Sequence, residues 1–123
     1  MPSVLLVDDD EAVRRTIARF LTAEGFEVVE ANNGLEALNY LRTGAGVSVI
    51  VLDLPMPVMD GRTFRREQRL DPVLDRIPVV VLSGADADRF PELEAAETFE
   101  KPVRMSEVAE AVRRLSELSL PKV

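Results

Sequence analysis

Five short runs rich in β-branched residues and leucine, spaced by segments of helical periodicity, set the narrowest limit on what this chain can become. The runs cover residues 4–7, 26–29, 47–52 and 78–82, with a weaker one at 98–100. The first, third and fourth are almost continuously apolar, the pattern of strands covered on both faces. Between them, Val13, Ile17, Phe20 and Leu21 place one apolar stripe on a helix over about 11–24, which Gly25 ends. Leu35, Leu38 and Leu41 mark a second helix entered through Asn32-Asn33-Gly34, and Phe64 belongs to a third that fades near Leu70. Met105, Val108, Val112, Leu115 and Leu118 mark a long last helix. Strands alternating with helices at this pitch give an α/β fold, a parallel sheet with helices on both faces. The 123 residues suffice for one such domain.

In an open sheet of this kind the reactive crevice lies beyond the carboxyl ends of the strands. Strand one ends in Asp8-Asp9-Asp10, strand three in Asp53, strand four in Ser83 and strand five in Lys101-Pro102. Singly, each has a plain structural reading: a helix cap, a turn residue, a solvated amine. Together, several carboxylates at one rim repel one another unless a cation joins them. The chain contains no cysteine and no histidine, so the donors are hard oxygens, which points to Mg²⁺ or Mn²⁺. A hydroxyl and an amine on the far strands would complete a cluster for a phosphoryl group. The net charge of −7 argues against a general affinity for nucleic acid or anionic membrane. No secretion signal or membrane span is present, so the cytoplasm is the expected location.

The pattern Val7-Asp8-Asp9-Asp10 with Arg14, then Asp53-Leu54-Pro55-Met56-Pro57-Val58-Met59-Asp60-Gly61, Ser83-Gly84 and Lys101-Pro102 resembles a receiver domain of the two-component response regulators. The resemblance implies a flavodoxin-like, doubly wound (βα)5 fold with a five-stranded parallel sheet of order 2-1-3-4-5. It implies a receiver over 1–120, a tail at 121–123 and no output domain. Asp53 becomes the phosphoacceptor, assisted by Lys101 and Ser83. Asp8, Asp9, Asp53 and the backbone carbonyl of Pro55 become the metal ligands, with Asp9 the more direct of the acid pair, and Asp10 caps the first helix. Pro102 matches the family's proline after a cis bond, which helps aim Lys101. The implied partners are a sensor histidine kinase or phosphotransfer protein as donor and an unknown downstream protein as reader, with no direct nucleic-acid or membrane partner. Such a protein catalyses only its own phosphorylation and dephosphorylation. The positions that tune hydrolysis would be Pro55 and Ala85, neither able to orient a water, which implies a long-lived phosphoryl group.

Three other readings stay open: an aspartyl-phosphate hydrolase, an unphosphorylated receiver-like scaffold, and a fragment of a larger regulator or hybrid kinase. The first is disfavoured because its usual second aspartate, two residues after the nucleophile, is Pro55 here.

The sequence departs from the family pattern in places. Lys101 follows Ser83 by only 18 positions, which predicts a shortened fourth helix beginning near Pro91. The switch residues would be Ser83 and Thr98; Thr98 stands where the family places an aromatic, and Phe99 is expected in the core. Arg62, Arg65, Arg66 and Arg69 recur at helical spacing on the face opposite Phe64, a solvated face or a docking surface for an acidic partner. Thr98→Tyr is expected to preserve phosphorylation and alter partner affinity in pull-downs; unchanged binding in both phosphorylation states would take Thr98 out of the signal path.

Overall fold

Residues of β1 (Ser3–Val7), β3 (Val49–Asp53) and β4 (Val79–Ser83) divide between two apolar layers, which explains why the sequence shows them as unbroken apolar runs. The computed structural model describes residues 2–53, 61–83 and 95–118. With β2 (Glu27–Ala31) and β5 (Glu97–Glu100), these strands form one parallel sheet in the order β2-β1-β3-β4-β5, as the resemblance implied. On one face Leu5, Val7, Ile50, Leu52, Val79 and Val81 meet α2 (Gly34–Arg42) and α3 (Gly61–Leu70). On the other, Val4, Leu6, Val49, Val51, Val80 and Leu82 meet α1 (Glu11–Ala23) and α4 (Met105–Leu118). Burying each such side chain is worth about 1.5–3 kcal/mol, so this doubly covered sheet is the rigid platform for its polar rim.

The helix boundaries follow local chemistry. Asp10 caps α1, its Oδ1 accepting the Val13 N–H at 3.1 Å, and Gly25 at φ +97° ends it. Asn33 does the same for α2 by accepting the Glu36 N–H at 2.9 Å. A short 3-10 turn, Leu74–Arg76, was not expected from periodicity. It is held by Gln68, whose Nε2 donates to the carbonyls of Leu74 at 2.8 Å and Ile77 at 3.1 Å. The shortened fourth helix expected within residues 84–97 and beginning near Pro91 lies mostly outside the described residues, and the described part, 95–97, is not helical, Glu97 already opening β5; α4 here is the long last helix of the sequence pattern. The expected tail at 121–123 also lies outside them.

One expectation needs correction. Arg65 is not on an open arginine face: it is 8% exposed, beside fully buried Phe64 and Gln68, and pairs with Asp75 of the 3-10 turn at 3.8 Å. At about 100° per residue, Arg65 lies only about 60° around the helix from Gln68, so it sits at the edge of the buried arc. Arg66 and Arg69 are exposed, with Arg69 4.0 Å from the same Asp75, and the Arg62 side chain lies outside the described residues. A docking surface on α3 therefore cannot use Arg65 without dismantling this contact. Among the described residues no helix is long and apolar enough to cross a membrane.

Phe64 is the one large apolar side chain α3 commits to the core. Phe64→Ala should cost about 3–5 kcal/mol in urea unfolding, whereas Asp10→Ala, which removes only a cap, should cost about 1 kcal/mol. Equal losses would show that α3 is held by something other than Phe64.

Candidate functional site

Strand register assembles the polar rim. Val7 pairs with Leu52, so Asp8 leaves β1 beside Asp53, the last residue of β3. Asp53 pairs with Leu82, one residue before Ser83; Ser83 pairs with Glu100, one before Lys101. The strand order places β2 and β3 on opposite sides of β1, so the crevice opens at the crossover between β1 and β3.

At this crevice the carboxylate oxygens of Asp8, Asp9 and Asp53 lie within 4.8 Å of one another. Asp8 is fully buried, Asp53 nearly so, and Asp9 exposed. The Lys101 ammonium forms an ion pair with Asp53 Oδ1, entering from a side chain that is itself 41% exposed. The Lys101–Pro102 peptide is cis. Asp10, the third of the acidic run, is occupied as the cap of α1. Ser83 ends β4 at the same rim, but its side chain lies outside the described residues, as does all of Pro55.

Three carboxylates against one ammonium leave two negative charges uncompensated. Asp8 shows the strain of this arrangement most clearly. Its Oδ1 accepts the Asp10 N–H at 2.9 Å, while its buried Oδ2 has no hydrogen-bond partner among the described residues. Burial pushes the Asp8 carboxyl up from 3.8 to about 6; the Asp10 N–H opposes this, the neighbouring Asp53 adds to it, and Lys101 offsets part. A small divalent cation fits this donor set: the ligands are hard oxygens, one buried oxygen is unpartnered, and the uncompensated charge is two.

A further residue of the site had only a motif position in the sequence. Arg14 of α1 donates through Nη1 to the Asp8 carbonyl at 3.0 Å and to Asn32 Oδ1 at 3.0 Å, and through Nε to Glu30 Oε1 at 3.0 Å. The available signal was a polar end to β2, Glu30 and Asn32, facing an arginine one turn into α1.

The response regulator receiver domain family model matches residues 4–113. Two-component response regulator ORR11 of Oryza sativa subsp. indica is 34% identical over 118 residues, covering 93% of this chain and 80% of that protein. The receiver domain of a signal transduction histidine kinase from Syntrophus aciditrophicus superposes with a TM-score of 0.91 at 27% identity, covering 100% of this chain and 96% of the other. That of the sensor histidine kinase PA1611 from Pseudomonas aeruginosa PAO1 superposes at 0.85 with 23% identity, covering 94% and 98%; it has a magnesium ion coordinated in its active-site cleft. The chain spans only about a tenth of the length of the sensor kinases LuxN and CckA that it also matches (10% and 12%).

Without a cation, ionising Asp8 opposes folding. Its carboxyl, near 3.8 when unfolded and about 6 when folded, favours the fold below about pH 4, and that contribution is lost as pH rises through 6. At neutral pH the difference is up to about 3 kcal/mol. In EDTA at pH 7.5, Asp8→Asn should therefore melt above the wild type, with the gap closing near pH 4. Added Mg²⁺ should raise the wild-type melting temperature at pH 7.5, much less at pH 4.5, and leave Asp8→Asn nearly unmoved. A wild-type melting temperature indifferent to Mg²⁺ at pH 7.5 would contradict the cation reading.

Proposed function

The chain belongs to the response regulator receiver domain family, and on that premise we propose that Asp53 accepts a phosphoryl group from a phosphohistidine of a partner kinase or phosphotransfer protein. The observation that carries this reading is the nearly buried Asp53 carboxylate, set between an ammonium and two further carboxylates at the mouth of the crevice. These 123 residues hold no histidine, so the donor histidine lies outside them.

In the transfer, an Asp53 carboxylate oxygen forms a bond to phosphorus as the phosphorus–nitrogen bond of the donor breaks. The imidazole nitrogen leaves with the electron pair. Such a transition state is loose and spreads charge over three equatorial oxygens, so positioning and neutralising them is the main catalytic task. Lys101, already against Asp53 Oδ1, stands ready to meet one of these oxygens. The Ser83 hydroxyl is assigned another from its place at the end of β4. Asp8 and Asp9, with Asp53 and the Pro55 carbonyl, would hold Mg²⁺, or Mn²⁺ in its place. When bound, that ion supplies positive charge to the acid cluster and the phosphoryl oxygens.

Phosphorylation takes Asp53 from one negative charge to nearly two and adds oxygens that the Ser83 hydroxyl could meet. Two charged hydrogen bonds give about 3–6 kcal/mol, against about 5.5 needed to swing a two-state equilibrium from 1:99 to 99:1. The available contacts are barely enough, so they support a graded shift as well as a complete one. Thr98 is exposed on β5, and Phe99 packs against the α1 and α4 layer. The switch position therefore presents a small hydroxyl side chain to a partner, where the family places an aromatic. We read the chain as turning over no external metabolite and signalling through a surface that another protein binds. A second reading, favoured by the match to much longer sensor kinases, is that the same receiver works inside a larger regulator or hybrid kinase; the Asp53 chemistry is common to both.

Acetyl phosphate with Mg²⁺, followed by intact mass, should add one phosphate to the wild type and none to Asp53→Asn, with EDTA suppressing the gain. A wild type that stays unmodified under these conditions would favour the unphosphorylated scaffold.

A further inference from the structure

Asp9 reaches the acid cluster from an exposed turn, and no hydrogen bond or ion pair to another described residue holds its carboxylate. What aims it is the backbone. The Asp8 carbonyl and the Asp9 N–H belong to one planar peptide unit, so fixing that carbonyl fixes the plane from which the Asp9 side chain departs. The Asp8 residue is held at three points. Its N–H donates to the Ala31 carbonyl at 3.1 Å, its Oδ1 accepts the Asp10 N–H, and its carbonyl accepts Arg14 Nη1.

The third hold is itself braced. The Arg14 side chain is only 12% exposed, and its guanidinium also donates to Glu30 of β2 and to Asn32 just beyond it. Its backbone N–H donates to the Asp10 carbonyl at 2.8 Å, so the residue grips the acidic turn from both ends. One rigid planar fork thus ties the end of β1 to the end of the edge strand β2. A lysine, with a single ammonium on a flexible stem, cannot span the same three acceptors.

We propose that Arg14 is a positioning residue for the acidic turn: by holding the Asp8 carbonyl against Glu30 and Asn32, it pre-sets Asp9 toward the cation site. This rests on the cation reading of Asp8, Asp9 and Asp53 and adds a residue that touches neither cation nor phosphoryl group. The turn is thereby organised before a cation arrives, and removing the fork leaves Asp9 to be ordered by binding itself.

The test is the Mg²⁺ dissociation constant of the unphosphorylated protein by titration calorimetry, beside urea unfolding in EDTA, for wild type, Arg14→Gln, Arg14→Lys and Glu30→Gln. Removing a group that orients a metal ligand typically weakens metal affinity about 10–100-fold, and that loss is expected for Arg14→Gln. Arg14→Lys should recover little of it, and Glu30→Gln, which keeps the fork but loosens its brace, should lose a few-fold. Arg14→Gln with lowered stability but wild-type Mg²⁺ affinity would overturn the proposal, since a merely structural role predicts that outcome. Full recovery by Arg14→Lys would overturn it too, because charge and not fork geometry would then suffice. Should Arg14→Gln fail to fold, Glu30→Gln decides, and wild-type affinity there counts against the proposal. A wild type that binds no Mg²⁺ removes the cation reading itself, whereas equal binding by wild type and variants removes only the role of Arg14.

Discussion

Mutual repulsion among carboxylates that the sheet forces together is the constraint on which the rest of this site depends. The register of a parallel sheet is fixed by the buried alternation of its strands, because a one-residue slip would turn apolar side chains out of both layers. That same register sets Asp8 beside Asp53 and leaves no freedom for them to move apart. The apolar core stabilises the fold, and the rim carries an electrostatic penalty that Lys101 offsets in part and a bound cation would relieve further. Asp8 shows this in a buried oxygen with no hydrogen-bond partner among the described residues and in a carboxyl that burial pushes up to about 6.

The charge balance also explains the division of labour among the three N-terminal aspartates. Asp8 is buried and acts on the site through its position; Asp9 is exposed and reaches the cluster from solvent; Asp10 is turned away and spends its carboxylate on the first turn of α1. Three identical side chains in a row therefore do three different jobs, because strand, turn and helix cap point them differently. Lys101 supplies the one positive charge that the described chain brings into contact with Asp53, from a side chain that is partly exposed.

Much of this was legible in the sequence because it rests on periodicity and on strand ends. The apolar runs located all five strands, the cap Asp10 sat where α1 begins, and the turn signal Asn32-Asn33-Gly34 marked the entry to α2. Strand two was displaced by a residue at its start and ran on to Ala31, because edge strands carry a weaker apolar signal. Arg65 and Gln68 were the real surprise: a helix with almost no apolar residues still buries one face, using an arginine and a glutamine to hold the turn at Leu74–Arg76. No local pattern announces that, since the partners are carbonyls and a carboxylate set by the tertiary fold. The role of Arg14 was hidden for the same reason. Its three acceptors come from two separate strand ends, and only the sheet order brings them together.

If Asp53 is the nucleophile that the acid cluster serves, the phosphoryl group must be found on that residue and no other. The most direct measurement is to phosphorylate the protein with a small-molecule donor and Mg²⁺, trap the acyl phosphate with borohydride, and map the reduced residue by peptide mass spectrometry. Homoserine is expected at position 53 alone, and none when Mg²⁺ is omitted. Reduction at Asp8 or Asp9 in place of Asp53, or a yield at position 53 that does not depend on the cation, would contradict it.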